Sequence, residues 1–375
     1  MAERSRGGSL EASRSGSGRN PLFVALRDIR FARGRFALMG TVVALITTLV
    51  VFLYGLTDGL AREASSAVAG LPAGRVVFGA PAGAAPEVSF SNSTVDERQA
   101  EAWRRAPGVR SAEPFGVAMT RLTAGGSAES VSVIGGSGHL MPALLAGTAP
   151  GDGQAAVSRR IAREHGLRPG DRIVLGTREL TVSGVTPDRG HGHAPTVWTT
   201  LATWREVSHL ARPTALAVTG SGTPSGDVAR TTKAVALGDA LDGIDGYAAE
   251  HGTLRMVQGF LFVVSALVVG AFFTVWTVQR RPDVAVLKAV GASSGYLVRD
   301  ALGQAAVVLT VGAAVGAGAG AAGGALASAV VPFELSAAAV AVPVAAMVLL
   351  GLAGSALAVA RITSVDPLTA LGATR

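Results

Sequence analysis

The chain has 375 residues, 49% hydrophobic and 16% charged, with a mean hydropathy of +0.42. That balance excludes an ordinary soluble domain and equally a chain lying wholly inside a bilayer. A formal charge of +7 and a pI near 10.8 call for an anionic partner; the long apolar runs select lipid, so no nucleic acid is expected. The only lysines are Lys233 and Lys288, and the lack of cysteine removes disulfides, thiolate chemistry and Cys-based metal sites.

Residues 1–20 are Ser, Gly, Arg and Glu with almost no apolar content and read as a disordered cytoplasmic tail. In residues 21–35, Leu22, Phe23, Leu26 and Ile29 recur at helical spacing among Arg27, Asp28, Arg30 and Arg33, the pattern of an amphipathic helix on the inner membrane face. Residues 36–57 form the first transmembrane segment. Its apolar run Phe36–Leu56 would be roughly 31 Å long at about 1.5 Å per residue, enough for a bilayer core. The preceding arginines place the N-terminus inside. Ala67-Val68-Ala69 offers a small-residue cleavage pattern, but the run exceeds a signal-peptide core of about 7–15 residues, so it reads as an uncleaved anchor.

Residues 58–255 are one long extracytoplasmic segment, large enough for its own core. Thr94-Val95-Asp96-Glu97 reads as a capping box opening a helix to about Arg105, and Pro107-Gly108 stops it. Val109–Leu122 and Ser130–Ile134 read as strands, Ala155–His165 as a helix and Arg172–Leu175 as a strand. Leu180–Val185, Thr196–Thr199 and Ala215–Val218 complete an α+β domain. Transmembrane segments follow at 256–278, 301–331 and 335–360, with Pro343 a kink site in the last. Residues 361–375 form a second cytoplasmic tail. The fold class is integral membrane α-helical, with four transmembrane helices and an α+β extracytoplasmic domain inserted between helices one and two.

Residues 279–300 are the basic connection between the second and third spans. Arg280, Arg281, Lys288 and Arg299 outnumber Asp283 and Asp300, which keeps the loop cytoplasmic. Val284, Val286, Leu287 and Val290 form an apolar set, and Gly291-Ala292-Ser293 supplies a helix stop and a new start. Such a helix touches the membrane on one side and a partner on the other, or serves only to fix orientation. In the third span Gly312, Gly316, Gly320 and Gly324 repeat every four residues, lining one face for close helix approach. An intrachain neighbour or a dimer mate would satisfy that face equally, with the intrachain neighbour favoured.

Catalytic sets are thin. His191-Gly192-His193, with Asp188 and Glu206 at a distance, is incomplete as a metal site and reads as a polar loop. Ser158 and Ser183 lack a G-x-S-x-G elbow. Glu334, beside Pro332 and Phe333 at the outer end of a span, is a weak substrate candidate or an interfacial carboxylate. No metal, cofactor or catalytic residue is expected.

The loop resembles that of the MacB/FtsX-like family of ABC transporter permeases, which reads approximately E-R-R-x-E-I-x-x-L-R-A-L-G-A-S. Arg280, Arg281, Val284, Leu287, Lys288, Ala289, Gly291, Ala292 and Ser293 match it or replace it conservatively. Gln279, Pro282 and Asp283 depart from it. Ala155–Val185 is similar to the family's core-domain pattern, and Asp366, Pro367 and Leu371 to its tail. Trp276–Ala305 looks most like the haem-exporter and DevC-like permeases. The resemblance implies a non-catalytic subunit that dimerises and docks a separate ATPase through Arg281, Asp283, Leu287, Lys288 and Gly291. A membrane-fusion or substrate-delivery protein is a further partner open to it. The chain has no G-x-x-x-x-G-K-[ST] sequence and so no phosphate-cradling loop of that kind. The expected function is coupling of the partner's ATP hydrolysis to export or to extracytoplasmic conformational work. The alternatives are a relay that activates an extracellular enzyme and an ATPase-independent receptor.

Overall fold

The computed structural model describes residues 33–81, 83–279, 286, 290–291 and 293–363. The expected tail at 1–20, all but residues 361–363 of the expected tail at 361–375, the amphipathic stretch up to residue 32 and most of the 280–292 loop lie outside these residues. The chain divides into two compact units. One holds the chain up to Val51 with Leu261–Gly320 and Ala341 onward; the other holds Phe52–Phe260 and Ala321–Val340.

Among the described residues, four helices are long and apolar enough to cross a membrane. They are α1 (Arg33–Ala69) and, after the inserted domain, three helices spanning Tyr247–Gln279, Ser294–Ala327 and Ala337–Thr363. The architecture is therefore four apolar helices with an α+β domain between the first and second.

The inserted domain follows α1 with β1 (Arg75–Gly79), α2 (Glu97–Arg105), β2 (Val109–Ala124), β3 (Ser127–Gly135) and β4 (Ala146–Gly147). Next come β5 (Gln154–Ser158), α3 (Arg159–Glu164), β6 (Arg172–Leu175), β7 (Arg178–Thr186), β8 (Gly190–His191) and β9 (Ala194–Thr199). It closes with α4 (Leu201–Ser208), β10 (Ala215–Gly220), α5 (Asp227–Thr231) and β11 (Thr232–Ala236). The long apolar helices after it are α6 (Tyr247–Gln279), α7 (Ser294–Ala327) and α8 (Ala337–Thr363). The strands form one mixed sheet in the order β11-β1-β10-β2-β3-β9-β5-β7-β4, with β6 bridging β2 and β7. Only β3·β9 and β5·β7 are parallel among its pairs. The β2–β3 hairpin turns on Gly125 and Gly126, both at positive φ, as a two-residue hairpin loop requires.

One core gathers Phe78, Phe90, Phe115 and Trp198 around Ala67 and Val68, so the C-terminal end of α1 is itself a core element of this domain. A second surrounds Trp204 with Leu122, Val133, Ile161 and Leu175. Trp204 lies flat against the sheet because Gly116 and Gly135 leave room: a Cβ there would come within 2.3 Å and 2.1 Å of its atoms.

Three readings change. The stretch Ala155–His165 is not one helix: Gln154–Ser158 is strand β5, and only Arg159–Glu164 is helical. Ala155, Ala156 and Val157 are buried between β7 and β9, and a strand covered on both faces loses the alternation that would mark it. The capping box lies two residues later than expected. Asp96 accepts from Gln99 N at 2.8 Å, and Gln99 Oε1 accepts from Asp96 N at 2.9 Å. Strands β1 and β11 and helix α4 lie in stretches where no element was expected.

The membrane unit packs through Phe36, Val43, Phe273, Trp276, Leu309 and Ala313. Phe36 and Phe273 both meet the Trp276 ring edge to face, at 6.2 Å and 6.0 Å. Gly354 brings α8 onto α6, where its Cβ would lie 3.3 Å from Gly270 Cα. Leu45, Leu267, Val311 and Leu349 point outward, the apolar exterior a lipid-facing helix needs.

Candidate functional site

Of the residues expected to dock a partner, Arg281, Asp283, Leu287 and Lys288 lie outside the described residues. Gly291 adopts φ +99°, a left-handed conformation that ends a helical turn in which Val290 N donates to Val286 O at 3.1 Å. Ser293 then caps α7, its hydroxyl accepting from Tyr296 N at 3.3 Å. Val286 and Val290 are both exposed.

The glycine face of α7 meets α1 in the membrane unit. A Cβ on Gly312 would approach Gly40 O to 3.0 Å, on Gly316 Ala44 O to 2.3 Å, and on Gly320 Thr48 O to 2.9 Å. The two helices thus touch backbone to backbone through successive turns. Thr48 Oγ1 donates to Ala44 O at 2.8 Å and also reaches Gly316 O at 3.1 Å, adding a polar tie between the helices. Gly324 belongs to the other unit, where the Phe333 ring occupies the space its side chain would take.

At the outer end of α1 the connection between α7 and α8 folds onto the helix. Glu334 N donates to Gly55 O at 3.0 Å, and the Glu334 carboxylate pairs with Arg62. The Phe333 ring covers Gly55 and lies 5.4 Å from the Phe52 ring. The Pro332 carbonyl sits where a Gly59 side chain would be, and Ser336 Oγ donates to Asp58 at 3.1 Å. Glu334 is therefore one of several residues gripping α1, and its neighbours Gly55, Gly59 and Arg62 had escaped sequence reading. A GxxxG spacing in α1 was the available signal.

The histidine pair does not form a metal centre. His193 Nε2 bonds Glu250 at 2.9 Å, whereas His191 is buried against Phe90, with rings perpendicular at 5.5 Å, and its Nδ1 is 3.4 Å from Ser132 Oγ. Asp188 is held by Arg159 and by Arg160 N, and Glu206 by Arg178. Ser158 caps α3, and Ser183 lies 3.4 Å from Ala155 O. Burial drives the His191 pKa down to about 4, partly offset by Asp245.

Sequence reading also missed a contact set of catalytic appearance. His165 lies 2.9 Å from Ser127 Oγ through Nδ1 and 2.8 Å from Glu129 through Nε2. Ser127 Oγ is 3.2 Å from Ala124 O, so the group ties the β2–β3 hairpin to the end of α3.

Residues 36–236 match the MacB-like periplasmic core domain, and residues 255–367 match the FtsX-like permease C-terminal domain. The chain belongs to the MacB/FtsX-like family of ABC transporter permeases. It is 23% identical, over 93% of its length and 99% of the relative's, to a Staphylococcus epidermidis protein named as the hemin transport system permease HrtB. It is 29% identical, over 94% and 99%, to an ABC transporter permease of Mycobacterium bovis. The periplasmic region of MacB from Actinobacillus actinomycetemcomitans covers 47% of this chain and 95% of that one, at 11% identity and a TM-score of 0.35. In this MacB/FtsX-like permease, a multi-pass membrane protein, the inserted sheet is the core domain and α6–α8 carry the FtsX-like part.

Two measurements test the geometry. Gly316→Leu with Gly320→Leu must push α7 off α1, destabilising the protein by about 1–3 kcal/mol or more through overpacking. Gly318→Leu with Gly323→Leu, at positions where a Cβ meets nothing within 4 Å, should leave thermal unfolding in detergent unchanged. Equal effects of the two pairs would show that helix propensity, not packing, sets the cost. The second test concerns His191. Its folded pKa lies below the unfolded value of about 6.5, so its stabilising contribution is present above that pH. That contribution falls away as pH drops toward 4, by something on the order of 3 kcal/mol. His191→Gln should flatten the dependence of the unfolding midpoint on pH between those values, whereas an unchanged slope would assign the acid sensitivity to other groups.

Proposed function

We propose that this permease works as a homodimer bound to a separate ABC ATPase, whose ATP hydrolysis drives export or conformational work outside the cytoplasm. Its inner-face loop 279–300 is the docking segment and both termini are cytoplasmic. The observation that carries this reading is the joint match of the core domain and the FtsX-like helices across the same four-helix architecture. The basic loop supports the orientation, since short Lys/Arg-rich connections stay on the cytoplasmic side. The absence of a G-x-x-x-x-G-K-[ST] sequence supports a nucleotide-hydrolysing partner on another polypeptide. Tight backbone contact between α1 and α7 supports a mechanical role, because helices packed without intervening side chains move together.

Within the loop, Leu287 is the apolar anchor and Lys288 a rim charge; Arg281 and Asp283 precede them, and Gly291 ends the segment. Burying a leucine contributes roughly 2 kcal/mol, whereas an exposed ion pair contributes about 0–1 kcal/mol. Hemin is the first cargo to test, because HrtB is named for it.

A reporter fused after Gly151 should be active only outside the cytoplasm and one after Ala292 only inside; the reverse pattern would overturn the orientation. Leu287→Asp should leave the permease inserted while abolishing co-purification of the partner ABC ATPase and stimulation of its hydrolysis. Lys288→Ala should weaken both only modestly. Normal coupling in Leu287→Asp would move the docking segment elsewhere, most directly to residues 21–35.

A further inference from the structure

Residues 328–336 join α7 to α8 and lie as a strap across α1, within the unit that holds the core domain. They form neither helix nor strand. Among the described residues one backbone hydrogen bond ties them to α1, from Glu334 N to Gly55 O. Two side-chain contacts add to it: the Glu334 carboxylate on Arg62, whose side chain is 63% exposed, and Ser336 Oγ on Asp58. Polar contacts so near water stabilise little by themselves, so the strap depends on its apolar contacts.

Those contacts converge on one ring. A Cβ on Gly55 of α1 would lie 2.4 Å from Phe333 Cζ, and a Cβ on Gly324 of α7 would lie 1.9 Å from the same atom. The tip of the ring thus fills the side-chain space of two glycines on two helices at once. Phe52 lines this socket from α1, its ring centroid 5.4 Å from that of Phe333 and its plane tilted by 34°. One turn along α1, the Pro332 carbonyl takes the side-chain space of Gly59. A glycine socket holds a ring by contact area, with no side chain of its own to hook over it, and Phe333 stays half-buried. The backbone walls need not rearrange for the ring to leave.

Withdrawal of the ring would leave Gly55 and Gly324 facing each other with no side chain between them. Their Cβ positions surround a single ring atom, so the two helices lie within reach of direct backbone contact, the packing that small residues permit. Two arrangements are therefore open to this corner: ring tip between the glycines, or glycine on glycine. Packed contacts with two discrete arrangements switch between them rather than deform.

We propose that residues 328–336 form a releasable strap with Phe333 as its key. Keyed, the strap fixes the outer end of α1 to the α7–α8 connection. With the ring withdrawn, Gly55 closes on Gly324 and the strap swings free, taking Glu334 from Arg62 and Ser336 from Asp58. Ala67 and Val68, at the end of the same helix, belong to the main core of the inserted domain. The key therefore decides whether the stem of that domain is held from the side. The device is a local opening that needs neither an ATPase nor a cargo, so it stands or falls apart from the permease reading.

The test is hydrogen–deuterium exchange on the full-length protein in phosphatidylcholine nanodiscs, resolved by fragmentation mass spectrometry at the Glu334 amide, in α1 from Phe52 to Arg62 and in the β2–β3 hairpin. In the unaltered protein the Glu334 amide should exchange ahead of α1 and the hairpin, because the strap opens while the helix stays formed. Exchange in step with α1 would mean that strap and helix open as one, and would overturn the release. Phe333→Ala should speed exchange at Glu334 by about tenfold or more, equivalent to about 1.4 kcal/mol of lost protection. Gly324→Ala should do the same with every strap residue intact, because its methyl group takes the place of the ring tip. The two changes combined should exceed neither alone, since both act on one contact. Val330→Ala, at a side chain 88% exposed, should change nothing. No acceleration in Phe333→Ala, or additive effects of the two variants, would overturn the key. Acceleration of the hairpin together with the strap would reveal general loosening and overturn it equally.

Discussion

The closest backbone approaches to helix α1 are made where a side chain is missing. In the membrane unit, Gly312, Gly316 and Gly320 let α7 reach the α1 carbonyls at Gly40, Ala44 and Thr48. In the other unit the glycines of α1 itself, Gly55 and Gly59, receive the Phe333 ring and the Pro332 carbonyl, and Gly190 seats the β8 corner on Glu63. Inside lipid no hydrophobic effect drives helices together, so contact at backbone distance supplies the dispersion and polar attraction that does. A Cβ at Gly59, Gly190, Gly312, Gly316 or Gly320 would have to displace backbone, the least compliant partner a protein offers, and one at Gly55 would have to displace the Phe333 ring.

That constraint shapes the outer end of the helix as much as its middle. Asp58, Arg62 and Glu63 enter α1 within two turns, where the apolar run stops, and each is taken up by a defined partner: Ser336, Glu334 and Arg160. Exposed pairs of this kind contribute about 0–1 kcal/mol apiece, so their value lies in position rather than stability. Phe333 and Pro332, seated on glycine, hold the geometry around them. A carboxylate on the α7–α8 connection thus faces an arginine of α1.

The core domain contributes rigidity by other means. Its sheet buries Trp204 flat against Gly116 and Gly135 and draws the end of α1 into its main core through Ala67 and Val68. His191, neutral and buried beside Phe90, belongs to that core rather than to a metal centre, and His165 ties a hairpin to the end of α3. The histidines that looked chemically suggestive are accounted for by packing and hydrogen bonding.

The four spans, the inserted α+β domain and the family were legible in the sequence, because a run of some 20 apolar residues and a loop motif are local properties of the chain. The positive φ of Gly291 and the cap at Ser293 belong to the same class, since they follow from a residue and its neighbours. Strand β5 did not, because a strand buried on both faces carries no period to distinguish it from a helix. Nor did the contacts at the end of α1, whose residues come from positions as far apart as Gly59, Gly190 and Phe333. Which helix the glycine face meets and where Glu334 finds its partner depend on three-dimensional neighbours. Only the tertiary structure decided them, because charge pairing and close approach are set by distance in space, and the sequence records only distance along the chain.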